Sequence, residues 1–218
     1  EVTLHGFNPR QAASLAQHWP GGKLAQAESV APSTVAASEL PTALLPGSFN
    51  PLHEGHRQMR RVAQARLGCA VHFELSIANV DKPSLSAAQT AARLSGIEGR
   101  LDGTPATLCL TQAATFLEKS KLFPGATFVV GADTIARLAD PRYYGHSLAT
   151  RDEAIEAITV AARCRFLVFG RELNGAFAEW HSLDLPDQLS QHCQGVSAAD
   201  FRLDISSTQL RRQSGDCV

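Results

Sequence analysis

From Pro41 onward the hydrophobic positions fall into short runs separated by longer stretches with helical spacing. The runs are "TALLPG" (42–47), "AVHFELSI" (70–77), "ATLCLT" (106–111), "ATFVVG" (126–131) and "CRFLVFG" (164–170), each of strand length. The intervening spacing predicts helices over His53–Leu67, Ser86–Glu98, Gln112–Leu122, Asp133–Leu138 and Arg151–Ala162. Near the end, "SSTQLRRQ" predicts a last helix opening on Ser206 or Ser207. Strand and helix patterns in alternation predict an α/β, Rossmann-like chain with a mostly parallel sheet and helices on both faces. In such open sheets ligands bind beyond the carboxyl ends of the strands, where strand order reverses. Chemistry is therefore expected just after each apolar run.

Residues 1–40 read differently. They are rich in alanine, glutamine and serine and are interrupted by Pro9, Pro20-Gly21-Gly22 and Pro32, with "QAASLAQHW" as a short helix. They fit either an arm packed on the main domain, 41–218, or the remnant of an upstream domain. The first residue is Glu1 rather than methionine, so a longer polypeptide is one expectation and a homo-oligomer another.

At 218 residues, with 44% hydrophobic and 19% charged positions, the chain suffices for one sizeable core. Its formal net charge of -1 gives no overall attraction to nucleic acid or an anionic membrane, so an anionic partner must be held locally. The five cysteines are dispersed, without a C-x-x-C pair or a histidine at ligand spacing. That pattern predicts free thiols in a reducing compartment and no protein-held metal site. No apolar run approaches the roughly 20 residues that span a bilayer, and the expected location is the cytoplasm.

Four segments carry candidate chemistry. In "ALLPGSFNPLHEGH" (43–56) a strand gives way to a turn and a helix start. Gly47 permits close backbone approach, and Asn50-Pro51 reads as a cap followed by a first-turn proline. The helix end offers N–H groups and a positive dipole to an anion, with His53 and His56 on one face and Gly55 clearing it. An isolated H-x-x-H also fits a capped turn with two surface histidines. The glycines and the strand-end position favour phosphate binding. In "DISSTQLRR" (204–212), Ser206, Ser207 and Thr208 open a helix and Arg211 adds a planar charged fork. In "FVVGADTIARL" (128–138) a strand ends in Gly131 and Asp133 stands at the helix start, where it either caps the helix or meets a nucleotide. In "SIANVDKPSLS" (76–86), Asn79 and Lys82 follow another strand, with Arg93 on the next helix; these are candidates for a substrate phosphate.

Together these segments resemble a known family. "GSFNPLHEGH" (47–56) resembles the G-x-F-[ND]-P-x-H-x-G-H signature of the nucleotidyltransferase superfamily, and "ISSTQLR" (205–211) resembles its I-S-S-T-x-x-R companion, with "GAD" (131–133) between them. The resemblance runs from about Thr42 to Arg212 and is greatest to nicotinamide and nicotinate mononucleotide adenylyltransferases. It implies a HIGH-type nucleotidyltransferase fold, ATP as co-substrate, Mg2+ as cofactor, and nucleotidyl transfer to a small phosphomonoester with release of pyrophosphate. It also implies that His53, His56 and Arg211 are catalytic. Gly47, Ser48, Phe49, Gly55, Gly131, Asp133, Ser206, Ser207 and Thr208 then bind the nucleotide, and Lys82, Arg93 and Asn79 the acceptor. Where those enzymes carry a tryptophan after "GAD", this chain reads "LADPRYYGH" (138–146), leaving Tyr143 or Tyr144 to stack on the acceptor. Two further readings stay open. One is a nucleotide-binding module without turnover; the other is a transferase that uses CTP, or another acceptor such as phosphopantetheine, FMN or a sugar phosphate.

Overall fold

A computed structural model describes residues 2–5, 24–25, 40–81, 83–98, 108–173 and 175–202. In chain order the elements are β1 (Val2–His5), β2 (Leu24–Ala25), β3 (Ala43–Pro46), α1 (Glu54–Leu67), β4 (His72–Ser76), α2 (Ala87–Glu98) and β5 (Leu108–Thr111). There follow α3 (Phe116–Leu122), β6 (Thr127–Gly131), α4 (Ala132–Ala139), α5 (Leu148–Glu156), β7 (Arg165–Phe169), β8 (Arg171–Leu173), β9 (Ala176–Ala178), α6 (Asp187–Ser190) and β10 (Cys193–Val196). Among the described residues the main sheet has eight strands in the order β10-β7-β6-β3-β4-β5-β1-β2, all of them parallel. The chain thus forms the predicted α/β sheet.

Alternate side chains of the buried strands enter two cores. Leu45, Phe73, Leu75, Leu110, Val129 and Leu167 face one side, against Ala63 of α1 and Leu94 and Ile97 of α2. Leu44, Phe128, Val130, Phe166 and Val168 face the other, with Ile135 of α4 and Ile155 of α5. Burial on both faces explains the near-continuous apolar runs in the sequence. Helix α1 stops at Gly68, whose φ of 66° is the left-handed conformation that glycine adopts without a Cβ penalty, and whose N–H donates to the Gln64 carbonyl at 3.0 Å.

β3 lies between β4 and β6, so the order runs outward in both directions from it. The carboxyl ends of β3 and β6 therefore flank the switch point where an open α/β sheet binds ligands. These ends lead directly into "GSFNPLHEGH" and "GADT".

Several boundaries depart from the sequence-based expectations. Asn50-Pro51 is a cis peptide and does not cap α1; His53, in extended conformation, is the N-cap. The helix expected from Gln112 begins only at Phe116. Thr115 and Glu118 form a capping box there, with Glu118 N–H to Thr115 Oγ1 at 3.1 Å and Thr115 N–H to Glu118 Oε2 at 2.8 Å. Helix α5 begins at Leu148, capped by Ser147, and passes into a π turn at Ala157–Ala161. β10 ("CQGV") and the β8–β9 hairpin are too polar and too short to register as apolar runs. The expected "SSTQLRRQ" helix lies outside the described residues.

Candidate active site

The loop after β3 is built around Phe49. Its backbone holds a positive φ of 43°, and its ring is only 2% exposed, edge-on to Phe73 and to His56 at centroid separations of 5.1 Å. A Cβ on residue 47 would sit 2.6 Å from this ring, which is the reason Gly47 is needed. What approaches Gly47 is thus a side chain of its own loop. The Gly47 N–H donates to the Glu74 carbonyl at 3.0 Å, which ties the start of the loop to β4. The Phe49 ring thus packs edge-on against His56. Ser48 is exposed, and its carbonyl accepts from Arg93 Nη1 at 3.0 Å. Arg93 therefore braces the loop after β3.

His53 and His56 come together as the H-x-x-H spacing requires. Their rings stack with centroids 3.8 Å apart and 28° between planes. His56 Nδ1 accepts the His53 backbone N–H at 3.3 Å. An accepting Nδ1 places the ring proton on Nε2, so the neutral tautomer of His56 is an N–H donor. Burial above all, and then the nearby His53 and Arg171, push the His56 pKa down from 6.5 to about 3. His56 is a neutral donor at pH 7, which suits an oxygen that gains negative charge.

The same burial ties folding to pH. Between about 3 and 6.5 the unfolded chain takes up a proton at residue 56 that the folded chain refuses. The stability held in neutral His56 is therefore complete above pH 6.5 and is lost as pH falls toward about 3. Thermal melts of the unliganded protein at pH 7 and pH 5 should show a larger drop for wild type than for His56→Gln. Equal drops would show that residue 56 does not resist protonation.

A small cleft joins these rings to the end of β6. It is lined by His53, Gly55, His56, Gly131, Arg171 and Phe201, among others. Asp133 stands beside it in the first turn of α4 and is not the helix cap; Gly131 occupies that position without a side-chain bond. The Asp133 carboxylate lies between two arginines, 3.7 Å from Arg171 Nε and 3.6 Å from Arg137 Nη2. A Cβ on Gly131 would come within 2.6 Å of Asp133 Oδ1, so Gly131 gives the carboxylate room. Arg171 was missed from the sequence. It follows β7 by two residues and meets the histidines only because β7 pairs with β6. Its available signal was a strand-end Gly-Arg in "FLVFGRE".

A larger cavity of about 670 Å3 runs along α4. Thr134, Arg137 and Leu138 form its α4 wall, with Phe116, Tyr143 and Tyr144 among the residues facing them. The Tyr144 hydroxyl donates to the Leu138 carbonyl at 3.1 Å, while Tyr143 is 38% exposed. Asn79 lines this cavity and turns its own loop, accepting the Asp81 N–H at 2.8 Å. Lys82, Ser206, Ser207, Thr208 and Arg211 lie outside the described residues. Among the described residues no three His, Cys, Asp or Glu side chains gather as a metal site, the described cysteines are free thiols, and no helix is long and apolar enough to cross a membrane.

The arrangement is a neutral histidine donor and an arginine at a helix start, at the switch point of a parallel sheet, beside a roomy partly aromatic cavity. Comparison with known proteins agrees with it. Residues 44–213 match the family described as cytidylyltransferase-like. The chain is also 27% identical over 176 residues to a probable nicotinate-nucleotide adenylyltransferase of Gloeobacter violaceus, covering 77% of this chain and 80% of that protein. The span 44–213 takes in both motif segments and the strands β4 to β10, and the chain is a nucleotidyltransferase belonging to the cytidylyltransferase-like family.

Proposed function

We propose that the protein transfers AMP from ATP to the phosphate of a small phosphomonoester, with nicotinate or nicotinamide mononucleotide as the leading acceptor and pyrophosphate as the second product. The observation that carries this reading is a pair of sites that share one helix, α4. Gly131 opens α4 toward the histidine cleft, and Thr134, Arg137 and Leu138 present it to the large cavity. In this reading the histidine end meets the nucleotide phosphates, and the large cavity takes a phosphorylated acceptor whose ring packs near Tyr143 and Tyr144.

In the proposed reaction an acceptor phosphate oxygen, ionised near pH 7, attacks the α-phosphorus of ATP, and the bond to the bridging oxygen of pyrophosphate breaks. No serine or cysteine nucleophile is required. Positioning and positive electrostatics supply the acceleration. His56 Nε2–H donates to a phosphate oxygen as charge builds, His53 holds its ring by stacking, and Arg171 contributes a fixed cation. Ser206, Ser207, Thr208 and Arg211 grip the outer phosphates in this reading, and Lys82 meets the acceptor phosphate. Mg2+ supplies charge neutralisation as an ion carried on the triphosphate. Among the described residues the Asp133 carboxylate stands beside the cleft and would face such an ion.

Incubation with ATP, Mg2+ and either mononucleotide should yield the dinucleotide and pyrophosphate. Pyrophosphate with phosphopantetheine, FMN or a sugar phosphate instead would reassign the acceptor, and turnover with CTP alone would reassign the donor. Saturable ATP binding without pyrophosphate from any acceptor would mark a binding module without turnover. Arg171→Ala is expected to raise the ATP KM by roughly tenfold or more, as for loss of a charge-assisted bond. An unchanged ATP KM would return Arg171 to a purely structural role with Asp133.

A further inference from the structure

A buried charged cluster on the α3 side of the sheet is not used by the proposed chemistry. Glu74 of β4 is 0% exposed and Lys119 of α3 is 5% exposed. Lys119 Nζ donates to both Glu74 carboxylate oxygens, at 2.7 and 2.8 Å, and to the Ala113 carbonyl at 2.8 Å. These bonds account for all of the ammonium's donors. Thr111, at the end of β5, donates its hydroxyl to Glu74 Oε1 at 2.5 Å and accepts the Ala113 N–H on the same oxygen at 3.3 Å. Both backbone groups of Ala113 are therefore held by side chains of this cluster.

Ala113 sits in the short link between β5 and α3, and the residues after it, Ala114, Thr115, Phe116 and Leu117, form one wall of the large cavity. Replacement of a buried ion pair by apolar groups of similar volume is often neutral or stabilising, so fold stability alone does not call for one here. A fixed loop does: charge and hydrogen-bond geometry allow one placement of Ala113, where apolar packing would allow several.

We infer that Glu74, Lys119 and Thr111 are positioning residues that set the acceptor wall at Ala114–Leu117 through the backbone of Ala113, and so govern acceptor affinity without touching the histidine cleft. The inference rests on the reading of the large cavity as the acceptor site. It assigns no chemistry to these side chains.

The test compares wild type with Glu74→Leu/Lys119→Met, Thr111→Val and Thr111→Ser, by hydrogen exchange of peptides covering 112–120 and by KM for acceptor and for ATP. The double variant should melt cooperatively, exchange the 112–117 amides about tenfold faster, raise the acceptor KM by about tenfold and leave the ATP KM within about twofold. Thr111→Val should shift the same readouts in the same direction by a smaller factor, and Thr111→Ser, which restores the hydroxyl, should match wild type. Wild-type exchange over 112–117 in a folded double variant would overturn the inference, as would faster exchange with an unchanged acceptor KM. If the double variant does not fold, Thr111→Val decides by the same criteria. If wild type releases no pyrophosphate with any acceptor, the proposed function fails separately, and the exchange comparison alone then decides whether the cluster holds the loop.

Discussion

Replacing His56 by alanine is expected to lower the rate of pyrophosphate release by roughly a hundredfold or more, the loss typical of one preorganised donor to a developing oxyanion. The size follows from the donor's surroundings. The ring is enclosed between His53 and Phe49, so it pays no reorganisation when charge appears on the phosphate oxygens. With a pKa near 3 it is already neutral, and its proton is fixed on Nε2 by the bond that Nδ1 accepts from the His53 N–H. The loss should fall on kcat more than on the ATP KM, because the bond strengthens as the transition state forms. The acidic limb of the kcat profile should show no step near 6.5 assignable to His56. Near-normal kcat in folded His56→Ala, measured by coupled pyrophosphate detection, would show that the histidine pair only shapes the loop.

The second large effect is on stability. Lys119→Met alone removes one member of a fully enclosed pair and strands the Glu74 carboxylate, which lies 45 positions away in the chain at 0% exposure. Such a removal costs about 3–5 kcal/mol, a large share of the roughly 5–15 kcal/mol that holds a typical domain folded. Urea unfolding of the single variant should show that loss, and addition of Glu74→Leu should recover most of it. The recovery separates the two reasons a buried lysine can matter. A single variant within about 1 kcal/mol of wild type would mean that water or another cation reaches Glu74.

The legible parts of the site were local ones. His53 and His56 are three residues apart at a helix start, so their meeting needs only the helix itself. Gly131 ends the apolar run "ATFVVG" and Asp133 comes two residues later, in the first turn of α4. The less legible parts depend on contacts distant in sequence. Arg171 reaches the histidines because β7 pairs with β6, and nothing in "FGRE" alone singles it out. The sequence asks for a glycine at 47 where something approaches closely, and only the fold shows that the Phe49 ring does so, with the Gly47 N–H donating to the Glu74 carbonyl. The Gln112 start of α3 failed because Thr115 with Glu118 forms a stronger start signal than the preceding alanines, and because Ala113 is held out of the helix by side chains from β5 and α3.

By itself the sequence determined the class of fold, since apolar runs of strand length alternating with helical periods can bury their faces only around a parallel sheet. It also determined the histidine pair, since a helix start brings residues at that spacing together. The tertiary structure decided what those residues are chemically. Enclosure by Phe49 and the neighbouring Arg171 sets His56 as a neutral donor, and strand order puts Arg171 beside it. A lysine and a glutamate far apart in the chain meet under the sheet and fix the loop that walls the second cavity. These outcomes depend on burial and long-range pairing, which local pattern does not encode.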